Sequence, residues 1–292
     1  MSGFSARWLA LREPVDHAAR NSGVLDNVVD YFSQYSHLNI LDLGCGTGSN
    51  LRGIAMHLHA CEQTWTLTDH DPLLLDQAKK ALQLWGDETS DTPYGVQIKK
   101  AEKTISVIFL QADLNQNFGH ILDKSSVDDA YDLITAAALF DLISHNWAHN
   151  FVEHIKNRKL PFYTSLTYNG VEKWRPRHPY DNTVHSIFQN CMREDKGFGC
   201  AMGQYATKVL SKLFENAGYQ TSIGSSPWQL NTANHSSLID MLKRGIAQAC
   251  SQQININLQD ANNVLTQDML NMWEKSRCDG AIIGHDDLWA VI

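Results

Sequence analysis

No CxxC pair occurs among the six cysteines, Cys45, Cys61, Cys191, Cys200, Cys250 and Cys278, which lie scattered along 292 residues. Neither a zinc ribbon nor a small disulfide framework is indicated, and the usage fits a reducing cytoplasm, where we expect the protein to work. Long apolar runs are also missing. The opening stretch MSGFSARWLALREPVDHAARN is interrupted by charge throughout, which excludes a signal peptide or membrane span there and leads us to expect a soluble, unprocessed chain. Basic residues are in deficit, 24 Lys and Arg against 32 Asp and Glu, for a formal charge of -8. That balance argues against a broad phosphate-tracking surface, so nucleic acid is the minor expectation, although a local basic patch would survive it. No repeat or flexible linker divides the sequence. With 43% hydrophobic residues it can bury one large core.

What is present is alternation. Apolar runs of strand length fall at 39–44, 65–68, 106–111, 131–136, 162–167, 219–223 and 281–292, the last broken by GHDD, and helical periods at 49–58, 71–85, 140–157 and 203–218 separate them. The expectation is an α/β, Rossmann-like doubly wound sheet of seven strands, mostly parallel, with helices on both faces. Residues 1–292 read as one domain with decorations. These are a helical cap over 1–36, a polar loop over 86–104, a pocket-side insertion over 168–203 with one helix near 183–193, and a helical insertion over 235–278 suited to packing or oligomer contact.

The first strand runs into NILDLGCGTGSN, with glycines at every second position. A Gly-rich turn after the first strand lets a ligand approach backbone N–H groups at a helix start. The spacing of Gly44, Gly46 and Gly48 is GxGxG, with Ser49 where a dinucleotide fingerprint has its third glycine, so a nicotinamide cofactor fits poorly. Asp69 in WTLTDHDP ends the second strand, where a carboxylate can accept from both ribose hydroxyls, and Asp113 in VIFLQADL ends the third, where one can receive an adenine amine. Taken singly, each acid could cap the following helix. Three ordered strand ends favour a ligand.

Through LDLGCGTG, the acid of TLTDHDP, QADL and YDLITAAALFDL, the sequence resembles the class I S-adenosylmethionine-dependent methyltransferases over most of its length. The resemblance implies an antiparallel final strand and S-adenosyl-L-methionine as cofactor. It would set Asp42, Gly44, Gly46 and Gly48 around the methionine part, Asp69 at the ribose, and His70, Asp113 and Leu114 at the adenine. WLALREPVDHAARN, LPFYTSLTYNG, DKGFG and IGHDDLWAV are similar to a bacterial subgroup of these enzymes, a likeness that carries no chemistry with it. The family's Asn/Asp-Pro-Pro-Tyr motif is absent after the fourth strand, which disfavours DNA amino-methylation. No Cys stands there either, which leaves pyrimidine C5 chemistry unsupported.

Asp141, His145 and His149 fall at i, i+4 and i+8, but a solvated helix face explains them better than a metal site, and no metal is expected. Asp141, just beyond the fourth strand, is placed to orient or deprotonate an acceptor, and His145 is the second candidate catalytic residue. Arg175, Arg177 and Lys196, with Tyr168 as a stacking surface, form the candidate acceptor site; the arginines suit a carboxylate or phosphate, or else simply pair with nearby acids. Trp228 is a second candidate stacking residue. Arg12, Glu13, Asp16, His17 and Arg20 lie at helical spacings before the first strand, and one of these arginines could neutralise the cofactor carboxylate. The reading is methyl transfer to O, N or C of a small anionic or zwitterionic molecule. The alternatives are a tRNA or other RNA methyltransferase, an aminopropyltransferase, or a non-catalytic S-adenosylmethionine-binding module.

Overall fold

The protein is described by a computed structural model covering residues 5–123, 130–256 and 265–292. Residues 1–4 of the expected cap and 257–264 of the expected helical insertion lie outside the described residues.

The strands are β1 (His37–Leu43), β2 (Glu62–Asp69), β3 (Glu88–Thr92), β4 (Gly95–Lys100), β5 (Lys103–Gln111), β6 (Leu133–Ala137), β7 (Phe162–Arg175), β8 (Gln220–Ser225), β9 (Trp228–Asn231) and β10 (Gly280–Val291). They form one sheet in the order β3-β4-β5-β2-β1-β6-β7-β10-β8, with β9 pairing β10. The run β5-β2-β1-β6-β7 is parallel, and β10 enters antiparallel between β7 and β8. Chain order reverses between β1 and β6, the switch point at which open α/β sheets hold ligands.

All seven expected strands form, but the sheet has ten. The polar stretch after residue 86 is not a loop: β3 and β4 make a hairpin that extends the sheet beyond β5, because Val96 and Ile98 alternate inward under α4 (Pro72–Trp85). Gly95 is obligatory there, since an added Cβ would meet the Val107 carbonyl oxygen at 1.8 Å. The third addition is β9. The expected break at GHDD is instead two register shifts within a continuous β10, between Ile283 and His285 and between Asp286 and Leu288. β7 likewise runs on to Arg175 through Asn169 and Gly170, whose positive φ of 86° is tolerated within a strand paired to β10.

Two apolar layers cover the faces. Phe140, Phe151, Phe162 and Phe214 fill one with α5 (Leu114–Asp123), α6 (His145–Lys156) and α8 (Ala206–Asn216). Phe32, Trp65 and Leu82 fill the other with α2 (Ser22–Tyr31), α3 (Ser49–Ile54) and α4. A third cluster around Trp174, Trp228 and Trp273 joins β9 and the ends of β7 and β10 to α1 (Ala6–Ala19), α7 (Asp181–Met192), α9 (Thr232–Ile256) and α10 (Gln267–Glu274). Among the described residues no helix is long and apolar enough to cross a membrane.

Candidate active site

Gly44, Gly46 and Gly48 all adopt positive φ, 62°, 54° and 76°, which side-chain-bearing residues rarely do. A Cβ on Gly46 would lie 3.0 Å from Leu9 Cδ1 of α1, and one on Gly44 would lie 3.3 Å from Leu139 Cδ1. Apolar side chains from α1 and from the turn after β6 therefore rest on the glycines. α1 is held there by Glu13, whose carboxylate accepts two 2.7 Å hydrogen bonds from Arg52 of α3, while Arg52 also donates to the Thr47 carbonyl. His17 Nε2 lies 3.0 Å from the Ser49 carbonyl oxygen.

Asp42 is fully buried in β1 beneath this turn. Asn50 donates to its Oδ1 at 2.7 Å, and its Oδ2 has no partner. Burial pushes its pKa up to about 7, with Asn50 and Arg20 opposing and Asp69 adding to the rise. Asp69, 6% exposed at the end of β2, accepts from the Gly46 N–H at 2.9 Å and the Asp71 N–H at 3.0 Å. A carboxylate has about four acceptor positions, so about two remain open. The half-exposed His70 ring stands 3.3 Å from Asp69 Oδ1. Asp113 caps α5 through the Asn115 N–H at 2.9 Å, leaving its second oxygen free. Leu114 is buried beside it, and its carbonyl accepts from the Trp147 indole at 3.2 Å. The expected cofactor residues thus gather along the ends of β1, β2 and β5.

Of the expected catalytic and acceptor residues, Asp141 and Tyr168 come together, whereas His145, Arg175 and Arg177 do not join them. Asp141 is buried in a single 3-10 turn after β6, whereas His145 and His149 point into solvent from α6. Arg175 lies seven residues beyond Tyr168 on β7, about 23 Å at strand rise, and both it and Arg177 are exposed. Arg177 donates to Asn182, and Lys196 stands 3.9 Å from Glu194. The loop carrying Lys196 lies against the start of α5, where Asn115 donates to the Gly197 carbonyl at 3.0 Å. Arg12 is engaged by Asp16, at 2.8 and 3.3 Å, and Arg20 is tied to Ser165 and Asn50.

A buried polar cluster does form beside Asp141, centred on Tyr168. The Tyr168 hydroxyl donates to Glu172 Oε1 at 2.5 Å and accepts from Gln189 Nε2 at 2.5 Å. Its ring lies 6.2 Å from that of His285, which in turn lies 4.9 Å from the Trp228 ring. The Trp228 indole donates to Asp16 at 2.9 Å, and the Arg12 guanidinium sits over the Trp228 ring. Burial, with the backbone N–H groups of Asp141 and Tyr168 and the Arg12 charge opposing, pushes Asp141 up to about 6. Burial and Arg12 push His285 down to about 3, keeping it neutral. Sequence reading missed Glu172, Gln189 and His285. They stand on β7, α7 and β10, and no local spacing links them.

No family model and no curated protein matches the sequence. Solved structures do match in fold. A cyclopropane-fatty-acyl-phospholipid synthase-like protein from Lactobacillus casei superposes with a TM-score of 0.53 at 13% identity, covering 99% of this chain and 95% of its own. The likeness is one of fold, a doubly wound, Rossmann-like α/β sheet with an antiparallel strand near one edge. A candidate methyltransferase from Bacillus halodurans gives a TM-score of 0.50 at 12% identity, over 92% of this chain and 98% of that one. A methyltransferase of Geobacter sulfurreducens in complex with S-adenosylhomocysteine is similar at a TM-score of 0.45 and 14% identity, over 100% and 99% of the two chains, too loose a likeness to carry argument.

Proposed function

We propose that this chain is an S-adenosylmethionine-dependent methyltransferase with a small-molecule acceptor. The observation that carries the reading is the buried Asp69 carboxylate, which binds the glycine turn through Gly46 while keeping two acceptor positions, beside an Asp42 oxygen with no partner. A diol on Asp69, an amine on Asp42 and a purine amine on Asp113 match these acceptors, and the partnerless Nε of Arg20 is a donor near Asp42 for an anionic group, so the residues present fit the cofactor. Leu9, a flexible side chain, is what must yield over Gly46. When bound, the cofactor supplies a sulfonium-activated methyl. The chain then has to align an acceptor and hold its proton. Asp141, raised by burial, is the proton-holding group we assign; His145, exposed, is not brought to it. The expectation of an anionic or zwitterionic acceptor rested on Arg175, Arg177 and Lys196; the two arginines are exposed at and beyond the end of β7, and we propose only a small molecule. We read residues 1–292 as one unit, capped by α1 and α2.

The test is isothermal titration with S-adenosylhomocysteine. Two ribose hydrogen bonds to a charged acceptor are worth about 1.5–3 kcal/mol each, so Asp69→Ala loses measurable binding while Asp113→Ala weakens it less. An Asp69→Ala protein that folds and binds like the parent refutes the ligand assignment. Comparing S-adenosylmethionine with its decarboxylated form separates methyl from aminopropyl transfer.

A further inference from the structure

The cluster around Tyr168 is built but not saturated. Glu172 has a side chain only 2% exposed, and the Tyr168 hydroxyl hydrogen must point at it because a carboxylate cannot donate. The hydroxyl then accepts, so Gln189 must present its NH2 to Tyr168 and its Oε1 elsewhere, which fixes the amide orientation from the network itself. That Oε1 has no partner, and neither does Asp141 Oδ1. Glu172 Oε2 has only the His185 ring, 3.7 Å away and beyond hydrogen-bond reach. Asp141, Tyr168, Gln189 and His285 are each less than 9% exposed. A native interior rarely leaves so many polar atoms unpaired without something to pair them.

The unpaired set has a chemical sign. Two carboxylate oxygens and an amide oxygen are acceptors. Of the cations nearby, Arg12 is spent on Asp16, and His185, whose pKa Glu172 raises, stands 3.7 Å from Glu172 Oε2 without a hydrogen bond. The His185 Nδ1, the His285 Nδ1 and the Trp8 indole N–H are unpartnered nitrogens of the same region. Tyr168 and Trp228 add aromatic faces, which attract cations. An anion placed here would meet unpartnered acceptors and be repelled. A group rich in N–H donors would satisfy them.

We infer that this cluster is the acceptor-binding site and that it takes an amine-bearing small molecule, held through its ammonium by Glu172, Gln189 and Asp141 against Tyr168 and Trp228. This rests on the methyltransferase reading above and adds the substrate class. The site adjoins the glycine turn through two connections. α1 sends Leu9 onto Gly46 and Arg12 onto Trp228, and the turn after β6 sends Leu139 onto Gly44 while placing Asp141 beneath the Tyr168 N–H.

Ligand-observed NMR on the full chain tests the inference, using matched pairs of small primary amines and their carboxylate counterparts, aliphatic and aryl, with and without S-adenosylhomocysteine. The expected result is binding of amines and not of carboxylates. Affinity should fall about ten- to a hundredfold in Glu172→Gln, the loss expected for one charge-assisted hydrogen bond. If that variant does not fold, Gln189→Met removes the second acceptor at similar volume and carries the same expectation. S-adenosylhomocysteine affinity should hold in both. Carboxylates binding as well as amines, no member binding, or amine binding indifferent to both substitutions overturns the proposal. A parent that takes amines but not S-adenosylhomocysteine overturns the methyltransferase reading beneath it, an outcome distinct from the others.

Discussion

Asp42→Asn removes an ionisable group from the floor of the glycine turn, and its effect on stability should depend on pH in a calculable way. The folded-state pKa of Asp42 is raised from the usual 3.8 to about 7 because no water reaches it. Between those values the unfolded chain has released its proton and the folded chain has not, so the parent loses stability as pH rises, by 1.36 kcal/mol per pH unit. Over the whole interval the loss is about 4 kcal/mol, complete above pH 7 and absent below pH 4. An Asn retains the bond from Asn50 but puts an NH2 where Oδ2 has no partner, a pH-independent cost of about 1–3 kcal/mol. The variant should therefore be the less stable protein near pH 4 and the more stable one near pH 8. Urea denaturation of both proteins at several pH values measures the difference. Parallel curves across pH 4–8 would refute the reasoning, since every other titrating group is common to both chains.

On the proposed reading, S-adenosylhomocysteine uptake should release up to about one proton at pH 6, because an ammonium set against Oδ2 would lower the Asp42 pKa. Titrations in buffers of different ionisation enthalpy should show this, and Asp42→Asn should not. Asp287→Ala should cost at least about 4 kcal/mol by chemical denaturation, since that buried carboxylate accepts from Asn21 N–H, Leu166 N–H, the Ser226 hydroxyl and the Tyr163 hydroxyl. Gly46→Ala should lose about 1–2 kcal/mol to its positive φ alone and should also displace Leu9, seen as faster proteolysis within α1. His145→Ala, on a solvent face, should shift stability by no more than about 0.5 kcal/mol and leave S-adenosylhomocysteine affinity unchanged.

The ends of β1, β2 and β5 were legible because their signals are local: an apolar run, then glycines or an acid within a few residues. The hairpin was not, since ETSDT is wholly polar and only Val96 and Ile98 alternate in its partner. The expected strand ends at 167 and the expected insertion begins at 168, which hid the length of β7 and with it Glu172. Gln189 and His285 reach Tyr168 only because α7 and β10 pack beside β7, and that pairing is set by the sheet as a whole. Arg175 ends β7 and Arg177 follows it, both exposed, so their place relative to Tyr168 depends on the unexpected length of that strand.

The hairpin of β3 and β4 also closes a sheet edge that would otherwise lie open to other chains. Without it, β5 would end the sheet, and its run Val107, Ile108, Phe109, Leu110 would present unpaired N–H and C=O groups along an apolar strand. Such an edge is a template for another chain. The hairpin pairs that edge and replaces it with β3, five exposed residues, two of them acidic, whose charge discourages a neighbouring strand from docking. Cutting away residues 88–100 would thus threaten solubility before it touched the glycine turn.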